Sequence, residues 1–128
     1  MKFRNHRHQE LFTKAISSLD RQNYTLMAVV YLFTADNRLW SMTEKSICYS
    51  GVDFSRIRLR NCSVGMYALY GAAKDLYYGT DALILSDLAD PETTTPKVFK
   101  LICNSIAICR VGLDAIISKE RKQSQCSK

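Results

Sequence analysis

Arg56-Ile57-Arg58-Leu59-Arg60 leads through Asn61 into Cys62-Ser63-Val64-Gly65-Met66-Tyr67-Ala68-Leu69-Tyr70-Gly71-Ala72-Ala73-Lys74-Asp75-Leu76-Tyr77-Tyr78-Gly79, and the change of pattern between the two halves decides the fold. The first half alternates basic and aliphatic residues. Successive side chains of an extended segment point to opposite faces, so Ile57 and Leu59 would face a core while Arg56, Arg58 and Arg60 form a cationic ribbon. In the second half Tyr67, Tyr70, Ala73 and Tyr77, with Met66, Leu69 and Leu76 on an overlapping face, recur at helical spacing. They predict a buried helix that ends at Gly79, a residue suited to the left-handed C-terminal position.

On the N-terminal side the helical period continues. Asn5 suits the N-cap of a helix from His6 to about Leu19, with Leu11, Phe12, Ala15, Ile16 and Leu19 on one stripe and Phe3 placed to pack over the first turn. After a polar break at residues 20–23, Tyr24 to Thr34 predicts a second helix with almost no polar face and hence a central position. Its apolar surface also offers a docking face for a second copy of the chain, as a homodimer. Asp36 or Asn37 caps a short third helix holding Leu39, Trp40 and Met42. From Tyr49 to Asn61 the period is lost: Ser50-Gly51 reads as a turn, and Val52 to Arg60 as an extended or irregular segment whose partner strand is not evident.

On the C-terminal side Leu83, Ile84, Leu85 and Leu88 suit a short helix before Pro91. Thr95 as cap and Pro96 in the first helical position then start a helix with Val98, Phe99, Ile102, Ile106 and Cys109 on its inner side, ending near Gly112. Leu113, Ile116 and Ile117 belong to a last segment before a polar tail. The expected fold class is all-α: a compact bundle of five or six helices with one short extended segment near 52–60. Residues 1–122 form a single helical domain and 123–128 a flexible C-terminal tail.

A chain of 128 residues with 47% hydrophobic and 23% charged residues can bury a core of its own. The formal charge of +6 favours acidic partners, either nucleic acid or an acidic protein surface. Five cysteines without a CxxC pair, and an N-terminus without an apolar signal-like run, point to free thiols in a reducing cytoplasm. The least charged run, Leu101 to Cys109, is too short to span a membrane.

Catalytic chemistry finds little support. His6 and His8 with Cys48 or Cys62 could in principle make a four-coordinate zinc site, but residues two apart on a helix diverge, so solvated N-terminal histidines are expected instead. Cys103 and Cys109 fall in an apolar helix and are expected to be buried, inert thiols. Asp75, Asp81, Asp87, Asp90 and Glu92 read as loop and helix-end acids. Gly65, Gly71 and Gly79 form no phosphate-cradling loop, and Gly71 instead suggests the close approach of another helix. The expectation is therefore a protein that is not an enzyme, with no metal and no cofactor. Its binding residues are Arg56, Arg58, Arg60, Lys74, Tyr78 and Trp40, joined by Lys119, Arg121 and Lys122 of the tail. The competing reading of the ribbon is a solvated charged edge that blocks strand pairing.

Met1, Lys2, Phe3, Asn5, His8 and Phe12, the segment Leu32-Phe33-Thr34-Ala35-Asp36-Asn37-Arg38 and the helix end Ala72-Ala73-Lys74-Asp75-Leu76-Tyr77-Tyr78-Gly79 together resemble an uncharacterised group of short proteins from Gram-positive phages and mobile elements. Small proteins in such settings include anti-CRISPR inhibitors. The resemblance thus implies a cytoplasmic anti-CRISPR protein that binds a type II CRISPR effector nuclease, or its guide RNA complex, and inhibits it by surface blockade. Because the chain is basic, the expected grip is on the effector's protein lobe or guide RNA, not charge mimicry of DNA. The alternative is a basic accessory or regulatory protein that binds nucleic acid directly.

Overall fold

The computed structural model describes residues 2–118. Six α-helices organise them: α1 (His6–Ile16), α2 (Tyr24–Thr34), α3 (Asn37–Thr43), α4 (Val64–Tyr78), α5 (Leu85–Ala89) and α6 (Pro96–Val111). Residues 113–118 are helical as well. Between α3 and α4 lie two 3-10 turns, Glu44–Ser46 and Phe54–Arg56, and an antiparallel hairpin of β1 (Ile47–Cys48) and β2 (Gly51–Val52) with Ile47 opposite Val52. The all-α class expected from the sequence is the class observed.

Short polar residues set the starts of the helices. The side chains of Asn5, Asn23, Asp36, Ser63 and Thr95 each accept a backbone N–H from the first turn that follows, supplying donors that the helix itself leaves unpaired. Pro96 takes the first position of α6, where its missing N–H is not needed. At the other ends, Gly79 closes α4 with φ 71° and Gly112 closes α6 with φ 86°. α1 stops at Ile16, short of Leu19, because the hydroxyls of Ser17 and Ser18 turn back onto the carbonyls of Lys14 and Ala15.

The core is built around α2. Its residues from Leu26 to Phe33 are all 0% exposed, enclosed by α1, α3, α4 and α6. This explains an element with no polar face: there is no solvent side for one to occupy. It also means that the surface expected to receive a second copy of the chain is covered from within. Among the described residues no helix is long and apolar enough to cross a membrane.

Four local expectations are corrected. The extended segment does have a partner strand, Ile47–Cys48, but the pairing stops at Val52; Phe54–Arg56 form a 3-10 turn and residues 57–60 run without a ladder. α6 buries Val98, Leu101, Ile102, Ser105 and Ile108, which leaves Phe99 41% and Ile106 45% exposed and Cys103 on the surface. The apolar arc of α6 is wider than its buried stripe, so Phe99 and Ile106 fall at the edge of that arc, beside the outer face that carries Lys97, Lys100 and Arg110. Tyr67 lies 53% exposed because its position on α4 is rotated past the face shared by Tyr70, Ala73 and Tyr77. Gly71 meets the loop residues Ala82 and Leu83, not a helix: a Cβ there would lie 3.6 Å and 3.7 Å from them. The tail residues Lys119, Arg121, Lys122 and Cys126 lie outside the described residues.

Candidate polyanion-binding face

The ribbon owes its geometry to the turn before it. Asp53 accepts the Ser55 N–H, and its own N–H bonds to the Ser46 carbonyl at 2.8 Å, which fixes the 3-10 turn to the preceding elements. Phe54 is driven inward, where its ring meets Phe33, Tyr70, Tyr77 and Tyr78 at centroid distances of 5.2 to 6.1 Å. Ile57 is then buried and Leu59 half-buried, while Arg56, Arg58 and Arg60 are exposed. Alternation thus holds without a sheet to impose it. Asn61 adopts φ 52°, a left-handed conformation that asparagine tolerates, and the chain turns there into the Ser63 cap of α4.

Because Phe54 sits at the C-terminal end of α4 and Ser63 at its start, the ribbon runs antiparallel along that helix. Its other side rests on α3. The Arg60 N–H points at the Met42 sulfur at 3.3 Å, and Arg38 Nη2 donates to the Arg60 carbonyl at 3.3 Å. Arg38 therefore joins the ribbon from a different element, a fourth guanidinium that no local pattern in the sequence placed there.

Pairing separates these arginines from three others, whereas Arg110, exposed at the end of α6, is likewise without an acidic partner among the described residues. Arg4, Arg7 and Arg21 lie within 4 Å of Asp36, Glu10 and Asp114, at 3.7, 3.6 and 2.7 Å. Among the described residues, no carboxylate pairs with Arg38, Arg56, Arg58 or Arg60. Arg58 folds back to donate to the carbonyls of Ser55 and Ile57, at 2.8 and 3.1 Å, and remains exposed. Such a cluster repels itself and gains from any anion that approaches.

Of the other expected binding residues, the structure brings Tyr78 against the turn that starts the ribbon, puts Lys74 on the same stripe of α4 and separates Trp40. Tyr78, 54% exposed, packs its ring 5.2 Å from Phe54, two residues before Arg56. Lys74 lies one turn back on the same stripe of α4, and Tyr67 two further turns back, so the three form a tyrosine-lysine-tyrosine row along that helix. Trp40 points elsewhere. Arg38 and Met42, four apart, share the face of α3 that meets Arg60, which sends Trp40 to the far side. There it lines a cavity of about 480 Å³ with Leu11, Leu19 and Ile47.

The remaining reactive side chains have structural partners. His8 is buried, contrary to the solvated pair expected: its Nδ1 accepts the Arg4 N–H at 2.9 Å and its Nε2 bonds to the Tyr31 carbonyl at 2.8 Å, while His6 is exposed beside Glu10. Burial, opposed by the Tyr31 bond and reinforced by the charge of Arg4, lowers the His8 pKa to about 4. Asp75 accepts from Thr80, Ala82 and Leu83, and Asp87 from the Ile84 N–H, so these acids stitch the loop after α4. Among the described residues no three His, Cys, Asp or Glu side chains group as metal ligands, and Cys48, Cys62, Cys103 and Cys109 are free.

No protein-family model matches the chain, and no curated protein or solved structure matches it.

Proposed function

We propose that this protein is a non-catalytic inhibitor that grips a polyanionic surface of a nucleoprotein target, a type II CRISPR effector nuclease with its guide RNA, through Arg38, Arg56, Arg58 and Arg60. The observation that carries the reading is the exposure of these four guanidinium groups without an acidic partner among the described residues. Guanidinium forks match phosphate and carboxylate geometry and are weakly hydrated, so arginine at four neighbouring positions suits a phosphate-rich target better than lysine would. The choice of a CRISPR effector comes from the sequence resemblance.

The test is DNA cleavage by a reconstituted, guide-loaded type II effector. Stoichiometric protein should stop cleavage, and the variant R56A/R58A/R60A should restore it while keeping the wild-type fold. Undiminished cleavage at a large molar excess of wild-type protein across several type II effectors sinks the reading. A second reading, direct binding of free nucleic acid, is favoured by the Tyr67-Lys74-Tyr78 row on α4, whose Tyr78 packs against the ribbon's turn, since aromatic and cationic groups in alternation suit stacked bases and phosphates. It predicts that bare RNA or DNA binds with a steep salt dependence, whereas the inhibitor reading requires the effector complex.

A further inference from the structure

Beyond the ribbon, the N-terminal strap and the first half of α6 enclose a second basic site. Lys2 and Arg4 from the strap, and Lys97 and Lys100 from α6, line a cavity of about 500 Å³ together with Phe99, and among the described residues no carboxylate lines it. Phe99 is 41% exposed at this rim, although it lies in a helix whose neighbouring apolar residues Val98, Leu101 and Ile102 are buried. The two walls are tied to one buried residue. The Tyr31 hydroxyl donates to the Lys2 carbonyl and accepts from Asn104 Nδ2, at 3.0 Å for the latter. The Arg4 backbone is held in turn by His8, at 2.9 Å. The cationic groups therefore project from a backbone already fixed before any ligand arrives, which reduces the ordering entropy of binding.

Arg4 connects this cavity to the ribbon. Its guanidinium donates to the Ala35 carbonyl at 3.3 Å and also borders an adjoining hollow of about 280 Å³ that Arg7 and Arg38 line. Arg38 in turn touches Arg60. Basic groups thus run without a gap from Lys97 and Lys100, past Lys2 and Arg4, over the α2–α3 corner to Arg38 and the ribbon. The one acid among the described residues along this path, Asp36, is already committed to capping α3 through the N–H groups of Arg38 and Leu39 and to Arg4.

We propose that the α6 cavity binds one nucleotide of a single-stranded nucleic acid, its phosphate held by Lys2, Arg4, Lys97 and Lys100 and its base against the Phe99 ring, with the strand continuing across Arg4 and Arg38 to the ribbon. A track of cations alone fits any polyanion; an exposed aromatic at its end fits a base, because every base offers a face to stack. A duplex keeps its bases paired and out of reach, so the ligand is single-stranded. The proposal deepens the polyanion reading of the ribbon and rests on it for the strand's path.

The experiment is fluorescence anisotropy of labelled oligouridylate and oligothymidylate 12-mers, with a 12-base-pair duplex and inorganic polyphosphate as comparison ligands, titrated at several salt concentrations. Wild-type protein should bind the single strands more tightly than the duplex. F99A and F99L should each weaken single-strand binding by about 5- to 100-fold with an unchanged salt slope and unchanged polyphosphate binding, and F99Y should restore it. K97A/K100A, which weakens the hold on the one cavity phosphate, should lower the salt slope by up to about 0.7, and R56A/R58A/R60A by about 2. If F99A and F99L bind single strands as wild type does, the cavity holds no base and the proposal is overturned; a slope still lowered by the triple arginine variant would leave the ribbon reading standing. No binding of either single strand at low salt also overturns the cavity, and inhibition of the effector then tests the ribbon separately.

Discussion

His8 Nε2 reaches the backbone carbonyl of Tyr31 at 2.8 Å, joining the first turn of α1 to the last turn of α2. The bond exists because α2 tightens at its end: the Ala35 N–H bonds to Leu32, which leaves the Tyr31 carbonyl without its helical partner. Since Nδ1 accepts the Arg4 N–H, the proton of the neutral ring sits on Nε2, and both nitrogens are occupied. A second proton on this ring would have to displace Arg4 and charge a buried site.

That arrangement makes stability pH-dependent. The imidazole has a pKa near 6.5 when unfolded and about 4 here, so the unfolded state binds the proton first. The His8 contribution is complete above pH 6.5 and is lost as pH falls towards 4, a change on the order of 3 kcal/mol. Denaturant midpoints measured across this window should drop for wild type. His8→Phe, which keeps a ring beside Phe3, Phe12 and Tyr31, should be about 1 to 3 kcal/mol less stable at pH 7 but show a smaller drop.

The two glycines that close helices should respond unequally to alanine. At Gly79, φ is 71° and an added Cβ meets nothing within 4 Å, so Gly79→Ala should cost about 1 kcal/mol from backbone conformation alone. At Gly112 the same atom would lie 2.6 Å from the Tyr24 ring with φ at 86°, so strain and overlap add. Gly112→Ala should cost about 3 kcal/mol or more, read as the difference in thermal or denaturant midpoint.

Legibility in the sequence followed from how local each cause is. Asn5, Asp36, Thr95-Pro96 and Gly79 act on neighbours within a few residues, so helix starts and stops could be read directly, and α2 declared its central place by having no polar face. The exact limits of the face that α6 turns inward could not be read, because Phe99 and Ile106 at the edge of its apolar arc are as apolar as the buried Val98 and Ile102 and only the position of α2 decides between them. His8 looked like a solvated neighbour of His6 for a similar reason: its partner carbonyl lies 23 residues away. The ribbon's alternation was visible from residues 56–60, whereas Arg38 and Arg4 join the basic path only through contacts with Arg60 and Ala35.

Phe33 offers a test of the packing that backs the ribbon. Its ring stacks on Tyr70 with an interplanar angle of 12° and meets Phe54 at 6.1 Å, so it supports the turn from which Arg56 projects. Phe33→Ala should destabilise the fold by about 3 to 5 kcal/mol. The smaller change Phe33→Leu should keep the protein folded but weaken target binding by letting the 54–56 turn shift, detectable as faster exchange of the Arg56 and Ile57 amides, which bond to the Asp53 and Phe54 carbonyls.

Asp36 should matter for both stability and charge. It caps α3 through the N–H groups of Arg38 and Leu39, at 2.9 and 3.0 Å, and lies 3.7 Å from Arg4. Asp36→Ala should cost about 1 to 2 kcal/mol, while Asp36→Asn should retain most of the cap. Because either change removes a negative charge from the basic path, binding to a polyanionic target should tighten in Asp36→Asn, seen as a lower Kd at low salt.

The most direct measurement is the salt dependence of binding to a guide-loaded type II effector, compared between wild-type protein and R56A/R58A/R60A. If outward arginines grip phosphates, log K should fall steeply with log salt for wild type, and the variant's slope should be shallower by about 2. Equal slopes for the two proteins, with equal affinity, would contradict the account.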